Sequence, residues 1–103
     1  MLRAISRLAL RLQSTDQVEC ELLQFASLKR KDPGNALEDL AREYERRGYR
    51  VEDLLCRELR AISRSLDMRP REDVRRDLAA RRLALRAALA VRDFRNSPST
   101  INA

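Results

Sequence analysis

Few side chains in this sequence are equipped for chemistry, and their spacing limits what they can do. Cys20 and Cys56 lie far apart, and the chain contains no histidine. Neither thiol therefore has an imidazole to make it a thiolate, and most zinc and imidazole chemistry is excluded. Two cysteines are too few for a disulfide framework and show no metal-ligand spacing, so both read as reduced, partly buried thiols of an intracellular protein. Carboxylates fall in pairs: Asp39 with Glu43, Glu43 with Glu45, Glu72 with Asp73. These pairs sit on helical faces crowded with arginine, where solvated ion pairs one turn apart are their expected use, not an acid–base dyad. No glycine-rich loop is present to cradle phosphate. The sequence thus predicts no catalytic residue, no cofactor and no metal, and a protein that is not an enzyme.

What remains is arginine. The formal net charge is +6, and of 22 basic residues only Lys29 and Lys31 are lysine. A guanidinium fork pairs with carboxylates and phosphates alike. Arg3, Arg7 and Arg11 repeat every four residues as one stripe, and Arg75, Arg76, Arg81, Arg82 and Arg86 form a second cluster able to track phosphates. Against a nucleic-acid reading, 16 acidic residues are interleaved and aromatics make up only 4%, which leaves no stacking platform. The arginine excess equally fits a GC-rich coding sequence.

The elements that must position these charges are helices. At 103 residues the chain makes one small domain. With 44% hydrophobic residues, no Trp, 2 Gly and 3 Pro, the core must be aliphatic and hairpin turns are scarce. No apolar run is long enough to span a membrane. The central stretch is Tyr49 to Asp67, YRVEDLLCRELRAISRSLD, where Val51, Leu55, Leu59, Ile62 and Leu66 recur at steps of three and four, with Leu54 beside them. That is the period of a helix with one buried side; Arg57, Glu58, Arg60 and Arg64 fall largely on the other.

Around it, residues 2–13 predict an amphipathic helix with Leu2, Ile5, Ala9 and Leu12 on one face. Arginine-rich and free of acidic residues, it reads either as the first helix of a bundle or as a mitochondrial presequence. Ser14 with Gln17, or Asp16 with Glu19, has capping-box spacing, and the next helix runs from about Asp16 to Lys29 with Val18, Leu22, Phe25 and Ala26 inward. Asp32-Pro33-Gly34 breaks it. Asn35 caps a helix over 36–47, with Leu37, Leu40, Ala41 and Tyr44 inward and Gly48 as its left-handed stop.

Pro70 suits the first turn of a last helix, 70–94. Leu78, Leu85 and Leu89 mark one apolar face of it; Leu83, Ala87, Val91 and Phe94 mark another. Two faces exceed what one bundle contact covers, so Leu85, Leu89 and Phe94 are taken as a candidate partner or homodimer surface. The expected fold is an all-α, small four- to five-helix antiparallel bundle with a long C-terminal helix, a single domain over 1–95 and a polar, mobile tail over 96–103.

From residue 2 to about 68 the order of signals resembles a death-effector domain. AISRLALRLQ and DQVECELLQFASL look like the first two helices of that fold, and NALEDLAREYERRGYRVEDLLCRELRAISRSLDM is similar to the fourth, the fifth and the start of the sixth. At the positions of the family's Arg-x-Asp-Leu motif the sequence reads Ser65-Leu66-Asp67-Met68, with the Arg displaced one place early to Arg64, and Glu19 or Glu21 would be its acidic partner. The short interval from Lys29 to Asn35, and Pro70 with the helix after it, depart from the pattern. The resemblance implies a non-enzymatic adaptor, with Glu19, Arg64 and Asp67 as partner-binding residues. The function expected from sequence is protein–protein interaction, as adaptor or regulator; the alternatives are a basic helical nucleic-acid-binding protein and a small mitochondrial component. An intracellular, cytoplasmic or mitochondrial, location is expected.

Overall fold

The computed structural model describes residues 9–28 and 36–95, with side chains as far as Arg92. The predicted break at Asp32-Pro33-Gly34, the Asn35 cap, the members of the first arginine stripe before Arg11, the Phe94 side chain and the tail lie outside those residues. Among the described residues five helices appear in order: α1, described over residues 9–12, α2 (Thr15–Ala26), α3 (Ala36–Arg46), α4 (Val51–Asp67) and α5 (Glu72–Arg95). Among the described residues there is no strand.

Each helix starts and stops for local reasons. Ser14 is the N-cap of α2, its Oγ accepting from the Gln17 amide at 3.1 Å, so of the two starts read from the sequence the cap falls on Ser14 and not on Asp16. Helix α3 ends in a Schellman motif. Gly48 takes φ +93°, its amide donates to the Glu45 carbonyl, and the Tyr49 amide donates to the Tyr44 carbonyl. The Tyr49 ring then stacks on Tyr44, centroids 5.0 Å apart, the apolar contact that accompanies the motif.

Helix α2 stops at Ala26, three residues short of its predicted end, and α4 stops at Asp67. In both, a non-glycine residue takes the left-handed position: Leu28 at φ 62° and Arg69 at φ 55°. Pro70 does not enter α5, which begins at Glu72. The left-handed turn at Arg69 must be completed first, and the Arg71 carbonyl then accepts the first bond of the helix, from the Arg75 amide.

The packing is antiparallel, α2 on α3 and α4 on α5. Side-chain pairs show the direction: Glu19 meets Tyr44 while Thr15 meets Arg47, and Glu58 meets Arg81 while Glu52 meets Arg92. Val18, Leu22, Phe25, Leu40, Tyr44, Val51, Leu54, Leu55, Ile62, Leu78 and Leu85 form one aliphatic core with two aromatic members. Every apolar position read as inward on the central helix is buried or packs partly buried against this core, and Leu54 widens the buried face as expected. α5, at about 36 Å, is the longest helix among the described residues.

Candidate interaction surfaces

The charged residues separate into those that knit helices together and those that do not. Glu43 is buried on α3. Arg46 Nη2 reaches its Oε2 at 2.8 Å and Arg47 Nε reaches the same oxygen at 2.7 Å. The hydrogen bond from Arg46, opposed by burial and helped by Arg47, pulls the Glu43 carboxyl down to about 2. Glu43 is thus an internal tie, ionised at neutral pH, and not the solvated member of a surface pair that its spacing to Asp39 and Glu45 suggested.

A second knot joins three helices. Tyr44 donates its hydroxyl to Glu19 Oε2 at 2.6 Å, and Arg57 Nη2 donates to the same oxygen at 3.3 Å. Burial, with the bond to Glu19, pushes the Tyr44 hydroxyl up to about 12. This corrects the pairing implied by the death-effector resemblance. Glu19 faces Tyr44 and Arg57, whereas Arg64 and Asp67 lie exposed on the outer side of α4. The reason is distance along α4: Arg64 shares the face of Arg57 but lies two turns, about 10 Å, farther along the axis, while Arg57 reaches Glu19 and Tyr44.

Two arginines of α5 seat it on the bundle. Arg81 pairs with Glu58 at 3.0 Å. Arg92 pairs with Glu52 at 3.1 Å and with Glu45, so it spans α3, α4 and α5. Glu52 is buried, which opposes ionisation, yet a main-chain hydrogen bond and Arg92 hold its carboxyl below the usual range.

Of the arginines predicted as nucleic-acid contacts, three are engaged within the fold. Arg75 and Arg76 both bond to Glu72 on their own helix, which lowers the Glu72 carboxyl, chiefly through Arg75. Arg81 is taken by Glu58. Arg82 and Arg86 have no ion pair to another described residue, and the same holds for Arg60 and Arg64 on α4. Sequence spacing groups arginines by helix face but does not say which carboxylates fold over them.

The partner surface assigned to Leu85 and Leu89 is turned inward. Leu85 is 0% exposed and Leu89 packs partly buried against the core, because that side of α5 faces α2 and α4. The other apolar side is the outward one: Leu83 is 73% and Val91 58% exposed, Ala87 and Ala90 are exposed between them, and Ala80 is exposed one turn before Leu83. Where Val91 and Ala88 meet Leu22, Leu37, Val51 and Leu55, an open apolar groove of about 320 Å³ lies beside this strip, with Glu38 and Arg92 among its lining. Phe94 continues the strip in sequence.

The two thiols sit on different helices. Cys20 is exposed, not partly buried as expected, and Cys56 is half-buried; neither is in a disulfide. Among the described residues no group of histidine, cysteine, aspartate and glutamate could hold a metal ion, and no helix is long and apolar enough to cross a membrane. The fold and its surfaces define a small all-α bundle tied by internal arginine–carboxylate bridges. Compared with protein-family models, with curated proteins and with solved structures, the chain matches none.

Proposed function

We propose that the chain is a non-enzymatic protein–protein interaction module, an adaptor or regulator that receives a partner helix along the outer side of α5. The observation that carries this reading is the exposure of Leu83 and Val91 on a helix whose opposite side is already used by the core. A contiguous apolar strip left in water, next to an apolar groove, has the character of a helix-binding surface. Charged residues rim it: Glu38 is paired with Arg42 and Arg92 with Glu52. The test is the mass of the protein purified from its native source. The unaltered chain is expected to travel with a companion, above its own 12.0 kDa. Leu83→Asp with Val91→Asp is expected to travel alone with unchanged helicity. A solitary unaltered chain, or a companion that survives the double substitution, sinks the reading.

A second reading, binding to nucleic acid, is favoured by Arg60, Arg64, Arg82 and Arg86, which among the described residues have no carboxylate partner. It requires retardation of a random duplex at low salt. The salt slope should then fall by about 0.9 for each phosphate left unpaired when these arginines become Gln. No retardation at low salt removes it.

A further inference from the structure

We infer that the partner helix received along the outer side of α5 carries carboxylates on one flank only, an inference that rests on the interaction function proposed for that surface. The apolar strip is bordered differently on its two sides. Val91 lies about 80° round the helix from Leu83, and on that side the surface runs through Ala88 into the open groove. Arg86 and Arg82 lie about 60° and about 100° from Leu83 on the other side. Arg86 is exposed, Arg82 is partly buried, and neither has an ion pair to another described residue.

The fold has spent the carboxylates nearest to hand. Glu45, Glu52 and Glu58, which α3 and α4 present to α5, are held by Arg92 and Arg81. Glu72 is held by Arg75 and Arg76. From Leu78 to Arg92 the sequence has no acidic residue, so a second copy of the same stretch meets this flank with arginine and not with carboxylate.

Arg82 and Arg86 stand one turn apart, about 6 Å at their roots. That is the spacing of two acidic residues three or four positions apart on a facing helix. Each guanidinium fork takes one carboxylate through two parallel bonds. A helix that sets an apolar stripe on Leu83, Ala87 and Ala90 brings one flank over these arginines and the other over the groove. Its acidic residues belong on the arginine side. Apolar residues suit the groove side, where Glu38 and Arg92 already have partners. A polyphosphate laid on the same arginines leaves Leu83 and Val91 in water, so the strip favours a protein occupant.

The test titrates the full chain with three synthetic helical peptides of about 20 residues. They share one leucine stripe and differ on a single flank, which carries Glu, Gln or Lys at successive turns. The Glu peptide is expected to bind about tenfold or more tighter than the Gln peptide, and the Lys peptide weakest. Arg82→Gln with Arg86→Gln should erase the preference for Glu over Gln. Arg82→Glu with Arg86→Glu should invert the order, with helical signal unchanged. If either double variant loses helix, Arg86→Gln alone, at an exposed position, should still narrow the preference. Leu83→Asp with Val91→Asp should abolish binding of all three. Equal binding of the three peptides, lost in Leu83→Asp with Val91→Asp, overturns the acidic flank and leaves the interaction surface standing. A preference for Glu that survives loss of both arginines overturns it too. Peptide binding that survives Leu83→Asp with Val91→Asp sinks both the flank and the surface. No binding of the Glu peptide also overturns the inference, and a chain that then sediments as a dimer gives the strip to a second copy.

Discussion

Glu43 and Arg47, one turn apart on the same side of the chain, meet at 2.7 Å where both are largely withdrawn from water. Their separation in sequence is that of an ordinary surface pair, worth a few tenths of a kcal/mol. Their position makes them a different object. Glu43 neutralises the guanidinium that donates to the Leu10 and Gln13 carbonyls and to Thr15, and without it a largely desolvated cation would face only those main-chain carbonyls and a hydroxyl.

Replacing Glu43 by Gln is therefore expected to lower stability by about 2 kcal/mol at neutral pH, because it strips the ionic partner from a desolvated arginine. The pH dependence has a definite sign. The folded carboxyl lies at about 2 against an ordinary 4.5, so the folded state holds the proton less tightly. Its contribution is present above 4.5 and is lost as pH falls from there toward 2. Urea midpoints of the two proteins should be well separated at neutral pH and converge near pH 2. Parallel acid profiles would show that Glu43 is not the group responsible.

The two apolar sides of α5 should respond oppositely. Leu85→Ala opens a cavity at a position with no exposure and is expected to cost about 2–5 kcal/mol. Leu83→Ala, on the outer side, should change stability by less than about 0.5 kcal/mol. Chemical denaturation followed by circular dichroism decides it. Comparable losses at both positions would mean that α5 is turned differently on its long axis.

Three helices end in a left-handed residue, and only one of those residues is glycine. A Cβ added at Gly48 would touch nothing within 4 Å, so any cost of Gly48→Ala is conformational, about 1 kcal/mol or somewhat more. The reverse change at Arg69, which holds φ 55° in the same role, is expected to gain about 0.5–1 kcal/mol. Thermal melts of the two variants should move in opposite directions.

Gly48 is legible in the sequence as a helix stop because glycine in that place has one ready use. Leu28 and Arg69 do the same work without the residue type that signals it, so the apolar and charge pattern carries α2 three residues beyond its true end. The buried side of α4 is legible because it obeys one period. The two-sided pattern of α5 is legible as an excess but not as a direction. Nothing local distinguishes Leu85 from Leu83 until α2 and α4 are in place to cover one of them. The bridges between helices are illegible for the same reason. Glu19 with Tyr44 and Arg92 with Glu52 are separated by many turns of chain, and the charge composition offers each carboxylate more arginines than it can use.

Tyr44 should make the fold sensitive to alkali. Its hydroxyl donates to Glu19 within a partly buried contact, and ionisation would set a phenolate against a carboxylate where screening by water is reduced. Burial and that bond push its titration up to about 12 from an ordinary 10. The folded state thus keeps a proton that the unfolded state gives up, and stability falls as pH rises from 10 toward 12. The ultraviolet absorbance of tyrosinate should show one of the chain's two tyrosines appearing only near 12, together with loss of helical signal. In Tyr44→Phe that late component should vanish, and stability at neutral pH should drop by about 1 kcal/mol because Glu19 is left with Arg57 alone. A late component that persists in Tyr44→Phe would assign it to Tyr49 and dissolve the link between α2 and α3 that Tyr44 makes with Glu19.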